Sequence, residues 1–127
     1  MRILEFYHPM KLISKDNEKF VNKRGIPFLS KRFKDFEKLI KQQVQKQYQG
    51  EMLNGRLQMT IIALFQTKVH CDASNLAKSL NDAYQGQVYL NDRQIKDVRV
   101  LVVESKKLKT DCFYTIVKEK DDAQMEH

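Results

Sequence analysis

Between His70 and Asp97 the chain carries Asp72, Lys78, Asp82, Asp92 and Asp97, the residue types that handle divalent metals and phosphates. Carboxylates are the hard oxygen donors that Mg²⁺ prefers, and the ion usually keeps water or substrate phosphate in its remaining positions. An ion held this way can activate water and stabilise the charge of a phosphodiester transition state. Lys78 would sit one turn into a predicted helix, where its ammonium could touch a phosphate or the attacking water. A plainer reading stands beside this one. Asp72 lies where a strand meets that helix, and a carboxylate there can simply cap the first N–H groups, as Ser74 also could. Lys78 and Asp82 are four residues apart, the spacing of a surface ion pair worth a few tenths of a kcal/mol.

The flanking sequence supplies the elements that must hold these residues. Residues 2 to 7 alternate as a short strand that ends at Pro9. Residues 8 to 29 form a long basic loop, in which Lys23-Arg24-Gly25 turns a hairpin between Phe20-Val21 and Ile26-Pro27-Phe28. A loop of this length inside a compact domain is often functional. Ser30 is a good N-cap for a helix to about Gln49, closed by Gly50. Phe33, Phe36, Ile40, Val44 and Tyr48 form its apolar stripe, while Lys31, Arg32, Lys34, Lys38, Lys41 and Lys46 line the rest.

Residues 57 to 69 read as a strand with Leu57, Met59, Ile61, Ala63 and Phe65 on one face. A second helix runs from about Asn75 to Gln85, burying Leu76, Leu80, Ala83 and Tyr84, with Gly86 at its end. After a turn near Asn91-Asp92, residues 97 to 104 are apolar on both faces, which predicts an interior strand. Residues 105 to 110 form a basic loop, residues 111 to 118 a last strand, and residues 119 to 127 a polar tail expected to fray. The order predicts a small single α/β domain over residues 1 to 127, a mixed sheet of about four strands with two main helices. No apolar stripe is left over to identify an interface.

Charge is unevenly placed. The net charge of the 127 residues is +7, and residues 1 to 50 hold 12 Lys and Arg against 5 Asp and Glu, while the remainder balances. A basic surface on one side is the footprint of a polyanion binder, although a solvated basic helix gives the same count. No apolar run reaches the ~20 residues of a membrane span, and Glu5 interrupts any signal-peptide core. The simplest location is cytoplasmic. Cys71 and Cys112 lie too far apart in sequence for a CxxC-type metal site and are expected to be reduced thiols. His70 and Cys71, as strand neighbours, would point to opposite faces and make a poor metal pair.

The segments Asp72-Ala-Ser-Asn-Leu-Ala-Lys78, Asp82-Ala83 and Leu90-Asn-Asp-Arg-Gln-Ile-Lys-Asp97 resemble the RusA family of Holliday-junction resolvases. That family reads Asp-x-Asp-Asn-Leu-x-Lys, then Asp-Ala-Leu, then Asp-Asp-x-Gln-Val/Ile. The Asn-Lys-Arg-Gly of the basic loop and the Ser-Lys-Arg entry to the first helix extend the likeness. The resemblance implies a RusA-like fold and a homodimeric, Mg²⁺-dependent endonuclease, with Mn²⁺ as the other metal to try. Such an enzyme would hydrolyse four-way DNA junctions in recombination and repair. Carried over by position, it implies Asp72 and Asp92 as metal ligands and Lys78 as the catalytic lysine. Asn75 and Asp82 match supporting motif positions. It also implies that Lys11, Lys15, Lys23, Arg24, Lys31 and Arg32 grip the DNA.

The sequence departs from the family at Ser74, where a neutral hydroxyl, a weak metal contact, replaces the second aspartate. Asn91 replaces the first residue of the Asp-Asp pair. Asp97 or Glu104 would be the nearest carboxylates to fill in. Two further readings stay open: a branched-DNA-binding protein of the same fold that cuts weakly or not at all, and a basic α/β domain for RNA or protein.

Overall fold

The computed structural model describes residues 2–73 and 76–120. Its elements are β1 (Ile3–His8), β2 (Lys19–Val21), β3 (Pro27–Leu29), α1 (Lys31–Gln47), β4 (Arg56–Phe65), α2 (Lys78–Tyr84), β5 (Ile95–Glu104) and β6 (Cys112–Lys120). Four strands form one mixed sheet in the order β1-β6-β4-β5, and β2-β3 is a separate hairpin. β4 and β5 are parallel, so the chain must cross over between them, and α2 lies on that crossover. β6 is antiparallel to both of its neighbours. The small α/β class expected from the element order is the class observed. Among the described residues no helix is long and apolar enough to cross a membrane.

The core lies between one sheet face and the two helices. Leu57, Met59, Ile61, Ala63 and Phe65 of β4 meet Phe33, Phe36, Ile40 and Val44 of α1 and Leu80, Ala83 and Tyr84 of α2 in one buried cluster. The 2.0 and 3.6 residue periods of strand and helix select these residues. Ser30 caps α1 as its sequence predicts, its Oγ accepting from Phe33 N–H at 3.0 Å. The helix ends at Gln47 with Tyr48 extended, so Gly50 does not close it through a left-handed turn. Gly50 fits for another reason: a Cβ there would stand 2.8 Å from the Tyr48 hydroxyl. Gly86 does take a positive φ, +89°, just past α2.

Further expectations change. Glu119 and Lys120, expected in the fraying tail, complete β6, and residues 121 to 127 of that tail lie outside the described residues. The strand predicted to reach residue 69 ends at Phe65. Regular helix in α2 starts only at Lys78, with Ala77 as N-cap and no side-chain cap, so Asp72 does not cap it. β5 is an edge strand paired only with β4, not an interior one. Its two-sided apolar pattern reads as burial, yet Leu101 and Val103 lie on the sheet face opposite the helices and stay exposed.

That second face carries the apolar stripe that no sequence period revealed. Register aligns Tyr7, Tyr114, Ile62 and Leu101 in one row across all four strands. The Tyr7 and Tyr114 rings pack with centroids 4.8 Å apart and planes tilted by 38°. The two edges of the sheet differ. The Gln47 side chain closes the β1 edge, accepting from Tyr7 N–H at 2.8 Å and donating to Tyr7 C=O at 2.7 Å.

Candidate active site

Asp72 lies on an exposed segment between β4 and α2 whose preceding residues are pinned on both sides. The His70 ring stacks on Phe65 at 4.0 Å with planes 7° apart. Its Nε2 donates to Glu104 at the end of β5 (3.0 Å), and its Nδ1 lies 2.8 Å from the Cys71 carbonyl. Lys11 Nζ donates to Val69 C=O at 3.0 Å, tying the same segment to the basic loop. Cys71 faces Leu12 C=O at 4.0 Å, and burial pushes its thiol pKa up, so it stays protonated. His70 and Cys71 therefore serve as anchors, each turned to its own partner.

At α2 the sequence pairs Lys78 with Asp82, and the structure pairs neither with the other. Ser79 Oγ donates to Ile13 C=O (2.6 Å) and accepts from Lys15 N–H (3.0 Å), seating the basic loop on the helix. This lays Lys15 and Asp16 over the exposed face of α2. Lys15 Nζ then meets Asp82 at 2.6 Å, and Lys78 Nζ meets Asp16 at 3.3 Å. Asp16 also takes Lys19 at 3.0 Å. Lys19 and, after it, Lys78 hold the Asp16 carboxyl below its usual range. Asp16 had no sequence signal as a neighbour of the site, because its partner there, Lys78, is 62 positions away in the chain.

Asp92 is the exposed first residue of a 3₁₀ turn, Asp92–Gln94. Asn91 caps that turn, accepting from Arg93 N–H at 2.8 Å, which gives this asparagine a structural task. Gln94 donates to Leu53 C=O (2.8 Å) and Gly55 C=O (3.0 Å), anchoring the turn beside the start of β4. Asp72 follows the end of β4 and Asp92 precedes the start of β5, so α2 lies between them. Burial first, then the Asp92 and Asp82 carboxylates, raise the pKa of Tyr89. Asp97 is engaged by Arg99 at 3.2 Å and Glu104 by His70, so both possible stand-ins already have partners. Ser74 and Asn75 lie outside the described residues.

Among the described residues no three His, Cys, Asp or Glu side chains gather as a metal nest. Asp72 and Asp92 are exposed and take no part in the ion pairs above. Two solvent-facing carboxylates fit the oxygen-donor chemistry of Mg²⁺, which keeps several waters of its own.

The candidate DNA-gripping residues lie on the basic loop, on its hairpin and at the start of α1. Lys23 and Arg24 stand exposed at the β2-β3 turn, where Asn22 Oδ1 accepts from Arg24 N–H (2.8 Å) and Ile26 N–H (2.9 Å). Phe20 and Phe28 pair across that hairpin, exposed, with centroids 6.0 Å apart. Lys31 is exposed at the first turn of α1. Arg32 reaches Glu18 at 3.7 Å and, with Lys11, lines a cleft of about 220 Å³ that also touches His70 and Cys71, next to Asp72.

A small α/β sheet with exposed carboxylates, a helix-borne lysine and a basic loop seated on that helix has the makings of a DNA-directed, phosphodiester-processing protein. The family model for endodeoxyribonuclease RusA matches residues 9–124, and the chain belongs to that family. The family comprises nucleases of the Holliday-junction resolvase type, generally metal-dependent, that bind branched DNA in recombination. No curated protein matches the chain.

Proposed function

We propose that the protein is a Mg²⁺-dependent, structure-selective endonuclease that cuts four-way DNA junctions as a homodimer, in cytoplasmic DNA recombination and repair. The observation that carries this reading is the seating of the basic loop directly on α2, through Lys15–Asp82 and Asp16–Lys78. It brings the basic part of the chain against the helix that carries the candidate lysine. Asp72 and Asp92 would hold the metal, with Ser74 contributing at most a weak or water-mediated contact. Bound Mg²⁺, or Mn²⁺ in its place, supplies Lewis acidity and an activated water. Lys78 offers three N–H donors to the phosphate oxygens. Lys11, Lys23, Arg24, Lys31 and Arg32 take neighbouring phosphates and set the DNA arms.

A four-way junction offers two symmetric strands, and a two-fold dimer meets them with two identical sites. The open sheet face, with Tyr7, Tyr114, Ile62 and Leu101 in a row, supports an isologous contact between copies. The second reading, a branched-DNA binder that cuts weakly or not at all, is favoured by Ser74, which removes one carboxylate from the family pattern.

Nicking of a synthetic four-way junction in Mg²⁺ or Mn²⁺ tests both. Metal-dependent cleavage by the wild type that is lost in Asp72→Asn supports the enzyme. A silent wild type that gains cleavage in Ser74→Asp supports the binder. No preference for junction over linear duplex defeats both.

A further inference from the structure

The adjacent residues Lys15 and Asp16 cross the face of α2 and take opposite partners on it: Lys15 takes Asp82 and Asp16 takes Lys78. The two contacts differ in kind. Lys15–Asp82 is the shorter, at 2.6 Å, and is backed by the two Ser79 hydrogen bonds to residues 13 and 15. Asp16–Lys78 is longer, at 3.3 Å, with the lysine side chain 64% exposed. The loop thus stays seated on α2 if Asp16 lets go, and the Lys78 ammonium remains open to a new partner from solvent. A carboxylate and a phosphodiester each present one negative charge shared over two oxygens, and an ammonium accepts either as a charge-assisted partner.

We infer that Asp16 is a displaceable counter-ion of Lys78, occupying the lysine in the absence of DNA and competing with a DNA phosphate for it. This rests on the reading of Lys78 as a phosphate contact. The other oxygen of the same carboxylate holds Lys19 at 3.0 Å, so Asp16 keeps a cation beside it when Lys78 leaves. Asp16 acts through Lys78 and is a positioning residue, one that sets how readily the lysine is handed to the substrate.

The test is a double-mutant cycle on the full chain. Binding of a synthetic four-way junction, and of linear duplex, is followed by fluorescence anisotropy at low salt with divalent metal chelated, so that nothing is cut. Asp16→Asn is expected to bind about two- to fivefold tighter, the range that releasing one exposed ion pair allows. Most of that gain disappears when Lys78→Gln is added, and Asp16→Glu restores wild-type affinity.

A gain that survives undiminished beside Lys78→Gln would mean that Asp16 repels DNA through bulk charge alone, and overturns the inference. Unchanged or weaker binding by Asp16→Asn overturns it too, as does an Asp16→Glu that behaves like the asparagine. Equal binding of junction and duplex defeats the resolvase reading, yet the cycle still reads the Asp16–Lys78 competition on duplex phosphates. Failure to bind any DNA defeats both.

Discussion

His8 is fully buried. Its Nδ1 bonds Gln43 Oε1, its Nε2 lies 2.7 Å from the Tyr84 hydroxyl, and that hydroxyl bonds Thr115 Oγ1. Burial accordingly lowers the His8 pKa from its ordinary 6.5. The unfolded chain takes up this proton first as pH falls, so the stability held by neutral His8 is present above pH 6.5. It is lost as pH falls from there toward the lower folded-state value. Thermal melts between pH 8 and pH 5 (about three units, spanning the ordinary His range) should show this fall, and His8→Gln should flatten it. Ser30 tests a local effect: Ser30→Ala removes an N-cap and should cost about 1 kcal/mol, read as a lower urea midpoint at unchanged m. Asp72 is a candidate by residue type and motif alone, and the bonds of His70 and Glu104 that anchor its segment were not legible in the sequence. A histidine stacked on a phenylalanine five residues earlier and bonded to a glutamate on another strand leaves no local signature.

At the scale of elements, the open face of the sheet makes the clearest prediction. If it joins two copies, Leu101→Asp or Tyr114→Asp buries an unpaired charge in the contact and should yield monomer. Sedimentation equilibrium checks this, with unchanged far-UV circular dichroism showing that the fold persists; a dimer that survives both substitutions refutes this face as the interface. Strand and helix periods made α1, α2 and β4 readable, because each buries one regular stripe on the same core. β5 was misread for a physical reason. An apolar residue left open on the outer face of the sheet and one facing the core look alike in sequence, so Leu101 and Val103 suggested an interior strand. The Lys78–Asp82 spacing misled similarly. Helical proximity fixes which residues can meet, and the loop seated by Ser79 supplied each with another partner.

At the scale of the whole molecule, the net positive charge lies in the first 50 residues, part of it on the basic loop that is seated on α2. DNA binding should therefore weaken steeply with salt. Lys23→Gln/Arg24→Gln, at the exposed hairpin turn, should lower the log–log salt slope by about 1.8, or about 0.9 for each phosphate no longer neutralised. Anisotropy titrations across a salt series measure the slope, and an unchanged slope would remove this hairpin from the DNA interface. Both the charge asymmetry and the α/β order were visible in the sequence. The strand neighbours were not, since pairing is decided by the whole sheet. The order β1-β6-β4-β5 carries one more consequence, for the protein during its synthesis. β1 leaves the ribosome early, but among the described residues its one sheet neighbour is β6, the last strand to be made. Until Lys120 has emerged, β1 has no partner and β4 exposes a bare edge where β6 will lie, a template for unwanted pairing. Nascent chains stalled before Cys112 should be cut readily by protease and those released beyond Lys120 should resist, so the sheet is completed late, from its middle.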